Sequence, residues 1–296
     1  ITTDIEATIK EEGEIVVSAK LFLDIVRRLP EEIVFIETDE RMVTYIACGK
    51  VNYQIVGMSS VEYPDLPSFE QTDRITLNAK ILRDMIRQTV YAVSENTAKP
   101  IYTGSLYEIE DGVFKIIAID GYRMAIRSEN VDSESKNRFV VPGKTQHEVL
   151  KLLTDDEENT EIIIGQRHIT FKIKNYRIIS RLIEGTFIEY KSAIPKETKT
   201  EVVINTRTII DAVERMSLLN NDRIQSPVRC IFSDDEIKLS CTSAVGRAND
   251  VISVPIIGES VEIGFNNRYL LDALKNADTD EIKLILNGSL TAMIVK

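Results

Sequence analysis

Lys144 and Thr145 stand where a phosphate-binding pair would stand. The stretch "FVVPGKTQHEVLKLL", Phe139 to Leu153, breaks a β-branched run at Pro-Gly and opens a helix on Lys-Thr, which is the strand, loop and helix order of a nucleotide-binding P-loop. The full pattern also needs a Gly at position 138, and that residue is Arg. Without it the backbone cannot fold around a phosphate in the usual way. A plain strand-to-helix junction is the simpler reading. The competing one is an enzyme with internally duplicated α+β domains that binds nucleotide at PGKT.

Other chemistry has little material. The chain has two histidines, His147 and His168, and three scattered cysteines, Cys48, Cys230 and Cys241. That is too little for a zinc cluster or a His-based triad. The cysteines lie in apolar, strand-like stretches and read as buried reduced thiols. No catalytic residue, metal or cofactor is expected, and the chain reads as non-enzymatic.

The length of 296 residues points to two or three domains of roughly 100 to 150 residues each. With 43% hydrophobic and 28% charged residues, the composition is that of a globular protein and not a disordered one. No apolar run reaches membrane-spanning length and no signal-peptide pattern opens the chain, so a cytoplasmic location without membrane association is expected. A net charge of −11, taken as a total, opposes a nucleic-acid partner, because Lys and Arg carry phosphate binding. Net charge is only a sum, however, and does not say where the positive residues collect.

The elements that position those residues repeat. "KLFLDIVR" from Lys20, "KTQHEVLK" from Lys144 and "RYLLDALK" from Arg268 each carry a base, an acid four residues on and a base three further. The acids Asp24, Glu148 and Asp272 are spaced by 124 residues both times, and the closing bases are Arg27, Lys151 and Lys275. A second pair interleaves at an offset of 127: "ITLNAKILRDMI" from Ile75 and "VVINTRTIIDAV" from Val202. In both, a β-branched run passes through Asn78 or Asn205 into an amphipathic helix, and Asn is a good N-cap.

Between the helices the chain reads as strands with Asp-Gly and Asn-Gly turn signals. Antiparallel strands grouped between helices give an α+β class, not a parallel sheet. The repeats divide the chain into 1–72, 73–196 and 197–296, the first containing only a second half-repeat. "VEYPDLPSFEQ" and "IPKETKT" are the expected linkers. The chain opens at Ile1 and closes on "TAMIVK" inside a strand, so a missing beginning and a missing short end are expected.

Helices over 18–29, 78–92, 143–153, 206–216 and 266–276 together carry +6, although the whole chain carries −11. Lys80, Arg83 and Arg87 fall at i, i+3 and i+7, on one helix face. A solvated face with salt bridges such as Lys20 to Asp24 explains one such helix, each bridge contributing ~0.3 to 0.5 kcal/mol. Five of them in a repeat read better as a segregated positive wall.

Specific motifs add a family. "IDGYRMAIRS" resembles the "TDGHRLA" segment of the bacterial sliding clamps, the DNA polymerase III beta subunits. "SRLIEGTFIEYKSAIPK" resembles "SRLVDGRFPDYRRVLPK" of that family, "VSAKLFLDIVRRLP" resembles "VPARKFFDICRGLP", and "IGFNNRYLLDALKN" is similar to "IGFNVSYVLDVLNAL". The resemblance runs through essentially the whole chain. It implies a ring of two chains whose inner wall is helical and through which duplex DNA passes, a non-catalytic processivity factor for DNA replication.

The resemblance also implies sites. Lys20 matches a DNA-contacting base, and the loop Asn96 to Ile101, with Lys99, matches one that touches DNA in the pore. Together with the basic helices, the expected DNA set is Lys20, Arg27, Lys80, Arg83, Arg87, Asn96, Lys99, Lys144, Lys151, Arg207, Arg268 and Lys275. Tyr102, Gly121, Tyr122, Arg123, Met124, Ile188 and Ala193 match the apolar pocket that takes short linear motifs of the polymerase alpha subunit and the clamp loader. Tyr122 replaces a His and Ile188 a Pro. Read alone, Asp120-Gly121 is a hairpin turn. Lys50 and Tyr53 on one side, and Leu218 and Leu219 on the other, fall at the homodimer seam. Against the family, the first half of domain 1 and an "MPMRL"-like tail are absent from the sequence.

Overall fold

The computed structural model describes residues 1–64, 71–154, 158–219 and 226–296. The "VEYPDLPSFEQ" linker therefore lies in large part outside the described residues. The second linker is described: Ile194 to Lys199 form no helix or strand. The chain divides into two compact units, Asp4–Phe69 and the remainder, Ile1–Thr3 with Glu70–Lys296.

The smaller unit holds helix α1 (Ala19–Val26) and a three-stranded antiparallel sheet, Val34–Thr38, Val43–Cys48 and Val51–Val56. Ser18 caps the helix, its Oγ accepting from the Leu21 amide at 3.5 Å. The core is small: Ile25, Ile46 and Ile55, with Val17, Phe22 and Leu29 packed on it.

The larger unit is built twice on one plan. Its first part carries α2 (Ala79–Val90) and α3 (Gly143–Leu152), which pack together. One sheet has the order Thr2–Thr3, Tyr176–Arg181, His168–Ile173, Asn159–Gly165, Gln71–Asn78; the other has the order Met124–Asn130, Val113–Ile119, Gly104–Glu110, Asn137–Pro142. The second part carries α4 (Thr206–Ser217) and α5 (Asn267–Lys275), also in contact, over two four-stranded sheets. Every strand pairing in the two parts is antiparallel. The class is α+β, and the five α-helices among the described residues occupy the stretches that the charge and apolar spacing mark out.

The local causes are legible. Asn78 accepts from the amides of Lys80 and Ile81 at 2.9 and 3.4 Å, Asn205 from Thr208 at 3.0 Å, and Asn266 from Arg268 and Tyr269 at 3.0 and 3.4 Å. Each satisfies first-turn donors that the helix leaves open. Asp111 and Gly112 both take positive φ, 53° and 72°, as a two-residue hairpin requires. Asn287-Gly288 behaves otherwise: the strand Glu281–Leu286 pairs with Ile294–Val295 across a longer connection. Each part closes its own core, around Leu82, Met85 and Phe171 in one and Val213, Phe232 and Leu274 in the other. All three cysteines are buried and free, and burial pushes the Cys230 thiol up to about 12. Among the described residues no helix is long and apolar enough to cross a membrane.

Candidate nucleic-acid interface

The PGKT stretch has no loop in which to hold a phosphate. Strand Asn137–Pro142 runs directly into α3, with Pro142 at the cap and Gly143 as the first helical residue. A Cβ on Gly143 would stand 3.2 Å from the Thr103 carbonyl oxygen and 3.2 Å from Val93 Cγ1. The glycine therefore serves close packing of the helix start. Arg138, in the position of the missing Gly, lies in the strand with its guanidinium 3.6 Å from Glu189. This geometry gives the nucleotide-binding alternative no support.

Lys144 itself is exposed, as are Lys80 at the start of α2 and Lys99 in the loop beyond it. None of the three makes an ion pair with a described residue. Lys99 caps the 3-10 turn Pro100–Thr103, and the Thr103 carbonyl abuts Gly143, so Lys99 and Lys144 lie toward the same end of the helix pair. Asn96 shapes that loop, its Oδ1 accepting from the Ala98 amide at 2.9 Å. In the smaller unit, Lys20 and Arg27 are likewise exposed on or beside α1 with no ion pair to a described residue.

The other basic candidates have acidic neighbours. Lys151 lies 2.8 Å from Glu148, Arg207 2.8 Å from Asp211, Lys275 2.6 Å from Glu214 and Arg268 3.6 Å from Glu95. Lys275 holds the Glu214 carboxyl below the usual carboxylate range. Exposed pairs of this kind contribute about 0 to 1 kcal/mol, so the cations remain able to exchange a carboxylate for a phosphate. The α2 face is graded: Lys80 is open, Arg83 lies 3.8 Å from Asp84, and Arg87 shares Asp278 with Gln88. Its far end is thus committed to a contact with the segment after α5, which the i, i+3, i+7 spacing does not reveal.

A cleft of about 720 Å³ opens beside the loop Leu182–Glu189, with Tyr102, Phe139, Ile183, Phe187 and Ile188 as apolar lining and Arg138, Arg167, Glu184 and Glu189 as charged lining. The rings of Tyr102 and Phe187 meet edge to face at 5.6 Å. A β-bridge between Val140 and Ile183 ties the loop to the neighbouring strand. Tyr190, next in line, donates from its hydroxyl to buried Glu108 at 2.8 Å. Burial and that carboxylate both push the phenol up.

Of the expected pocket residues, Tyr102 and Ile188 line this cleft. Met124 packs on the same apolar cluster, with Phe187 and Tyr190 in its core, and Ala193 is exposed at the end of the 3-10 turn Tyr190–Ala193. Asp120 to Arg123 do form the turn between strands Val113–Ile119 and Met124–Asn130. Asp120 Oδ1 accepts from the amides of Tyr122 and Arg123 at 2.9 and 3.0 Å, and Gly121 supplies the φ of 97°. Tyr122 is 83% exposed.

Arg123 is not among the residues that line the cleft. Its guanidinium donates to Asp120 at 2.9 Å, to Asp272 of α5 at 2.6 Å and to the Tyr91 carbonyl at 2.8 Å. It lies 4.4 Å from the centre of the Tyr269 ring, within cation–π range.

The expected seam residues sit in separate units. Lys50 and Tyr53 are exposed at the turn into and along strand Val51–Val56. Leu218 is 82% exposed at the end of α4, whereas Leu219 is half-buried on the core beneath it. Asn220 and Asn221, which follow Leu219, lie outside the described residues.

Models of the DNA polymerase III beta subunit match in series, the N-terminal domain over residues 1–67, the central domain over 76–189 and the C-terminal domain over 191–296. A curated beta sliding clamp of Halalkalibacterium halodurans is 34% identical over 294 residues, covering 97% of this chain and 77% of the relative. The solved DNA polymerase sliding clamp of Bacillus subtilis superposes with a TM-score of 0.94 at 33% identity, over 98% of this chain and 77% of that one. The DNA polymerase III beta subunit of Pseudomonas aeruginosa superposes at 0.93 with 26% identity, over 98% and 80%. With all three domain models matched in order and the fold shared along nearly its whole length, the chain belongs to the beta sliding clamp family, the DNA polymerase III beta subunits.

Proposed function

We propose that the chain is a non-catalytic clamp that pairs with a second copy to encircle duplex DNA and tethers the replicative polymerase and the clamp loader through short linear motifs. Its domains are residues 1–72, 73–196 and 197–296. The observation that carries the reading is the set of exposed lysines Lys80, Lys99 and Lys144 on and beside the α2–α3 pair, none ion-paired to a described residue, in a chain whose net charge is −11. Contacts from such residues go to phosphates and are sequence-independent and salt-sensitive. Weak individual contacts permit sliding, and retention then comes from a closed ring. An acidic exterior keeps DNA from binding elsewhere. In the larger unit Lys151, Arg207, Arg268 and Lys275 extend the DNA-facing set, with Arg83, Arg87 and Asn96 at its edges, and in the smaller unit Lys20 and Arg27 take the same role.

The cleft beside Tyr102 and Ile188, apolar residues with charged ones around them, suits a linear-motif site, in which a few anchor side chains carry the affinity. Met124 packs in the apolar cluster behind it, and Gly121, Tyr122, Arg123 and Ala193 are assigned to the same partner site. The seam between copies brings Lys50 and Tyr53 to Leu218 and Leu219, a contact that closes by two-fold symmetry. The test is topological: load the protein with its loader onto nicked circular DNA, then linearise. The clamp stays on circles at high salt and is lost once ends appear. Equal, salt-labile binding to both forms, or nucleotide turnover by the isolated chain, would contradict the proposal.

A further inference from the structure

The cleft and helix α5 belong to different repeats, and the residue next to Met124 of the cleft's apolar cluster reaches α5. Arg123 follows the turn Asp120–Tyr122 and precedes Met124, whose side chain packs in the apolar cluster of the cleft. Its guanidinium bridges Asp120 of its own turn, the Tyr91 carbonyl at the end of α2 and Asp272 in the middle of α5. The ring of Tyr269, one helical turn before Asp272, covers it at 4.4 Å and also meets Tyr122 at 5.9 Å between ring centres. The Arg123 side chain is only 15% exposed. A planar guanidinium with three acceptors and an aromatic cover is fixed in one orientation, which a lysine could not reproduce.

From this juxtaposition we infer that Arg123 is a positioning residue through which the third repeat sets the shape of the linear-motif cleft, by way of Asp272. The inference rests on the reading of the cleft as a partner site. Met124 is the next residue, so a rotation of the Arg123 backbone moves the Met124 side chain within the cluster that backs Tyr102. Coupling runs both ways by thermodynamic necessity: a partner seated in the cleft stabilises one placement of α5, which carries Arg268 and Lys275.

The experiment measures binding of the cognate DNA polymerase III alpha subunit to the full chain carrying Asp272→Asn, with Arg123→Lys as a second variant. Glu148→Gln, at the equivalent position of α3, is the control. Asp272→Asn keeps size and shape, so the fold survives. The expected result is a loss of about five- to tenfold in affinity for Asp272→Asn and at least as much for Arg123→Lys, with no change for Glu148→Gln. The double variant loses no more than Arg123→Lys alone, because both act through one contact. A methyl signal of Met124 displaced by Asp272→Asn distinguishes this from simple loss of stability. Affinities of both variants within twofold of the parent, or fully additive losses, overturn the inference. If the parent chain does not bind the alpha subunit at all, the reading of the cleft fails first and the inference with it.

Discussion

Glu148 and Asp272 occupy the same position in two copies of one helix, 124 residues apart, and do different work. Glu148 makes a local, exposed pair with Lys151 at 2.8 Å. Asp272 reaches out of its repeat to a largely covered Arg123 at 2.6 Å. Similar contrasts surround them. Buried Gln146 donates to Ser105 and to the Val141 carbonyl, both at 3.0 Å, where the third repeat has the apolar Leu270. Gly143 permits close approach where the third repeat has buried Asn267. The repeat thus preserves the helix and its cap chemistry while each copy spends its variable positions on different neighbours.

The hardest way to break the comparison is to remove the shared scaffold. Leu274 of α5 is fully buried, and Leu274→Ala is expected to cost about 2 to 5 kcal/mol in denaturant unfolding. A loss under 1 kcal/mol would mean that α5 does not depend on its core face. The junction acid comes next. Asp272→Asn is expected to lower stability by about 1 to 3 kcal/mol, since it weakens a hydrogen bond between charged groups, whereas Glu148→Gln should cost about 0.3 to 0.5 kcal/mol, as for an exposed pair. Equal effects would erase the distinction between the two helices. Replacing the caps, Asn78→Ala and Asn205→Ala, should each cost about 1 kcal/mol and should do so alike, because the caps belong to what the repeats share. The smallest effect is chemical: burial raises the Cys230 thiol to about 12, so iodoacetamide at mild alkaline pH should label it only after unfolding.

Much of this was readable in advance because it is local. A helix cap, a two-residue turn and an apolar stripe are decided by residues a few positions apart, and Asn78, Asn205 and Asp111-Gly112 behave as their types require. The 124-residue repeat placed the basic helices for the same reason. What escaped depends on contacts distant in sequence. Arg123 and Asp272 are 149 residues apart, and nothing at position 272 distinguishes its acid from that at 148. The same limit hid the partner of Arg87, 191 residues away. The P-loop likeness is set aside by Arg138 alone, and the fold adds why the glycine is there: Gly143 packs against Val93 and Thr103. The cleft was only partly legible: Tyr102 and Ile188 line it, but the bridge from Val140 to Ile183 that shapes its floor joins residues with no shared motif.

The central claim is that DNA lies against the α2–α3 face and not against the sheets. It is tested most directly by placing a photo-crosslinking residue at positions 80, 99 and 144, and separately at the strand positions Lys172 and Lys238, in clamp loaded on nicked circular DNA. Crosslinks to DNA from 80, 99 and 144 and none from 172 and 238 are the predicted result. Crosslinks from the strand positions, or equal yields from both sets, would contradict it.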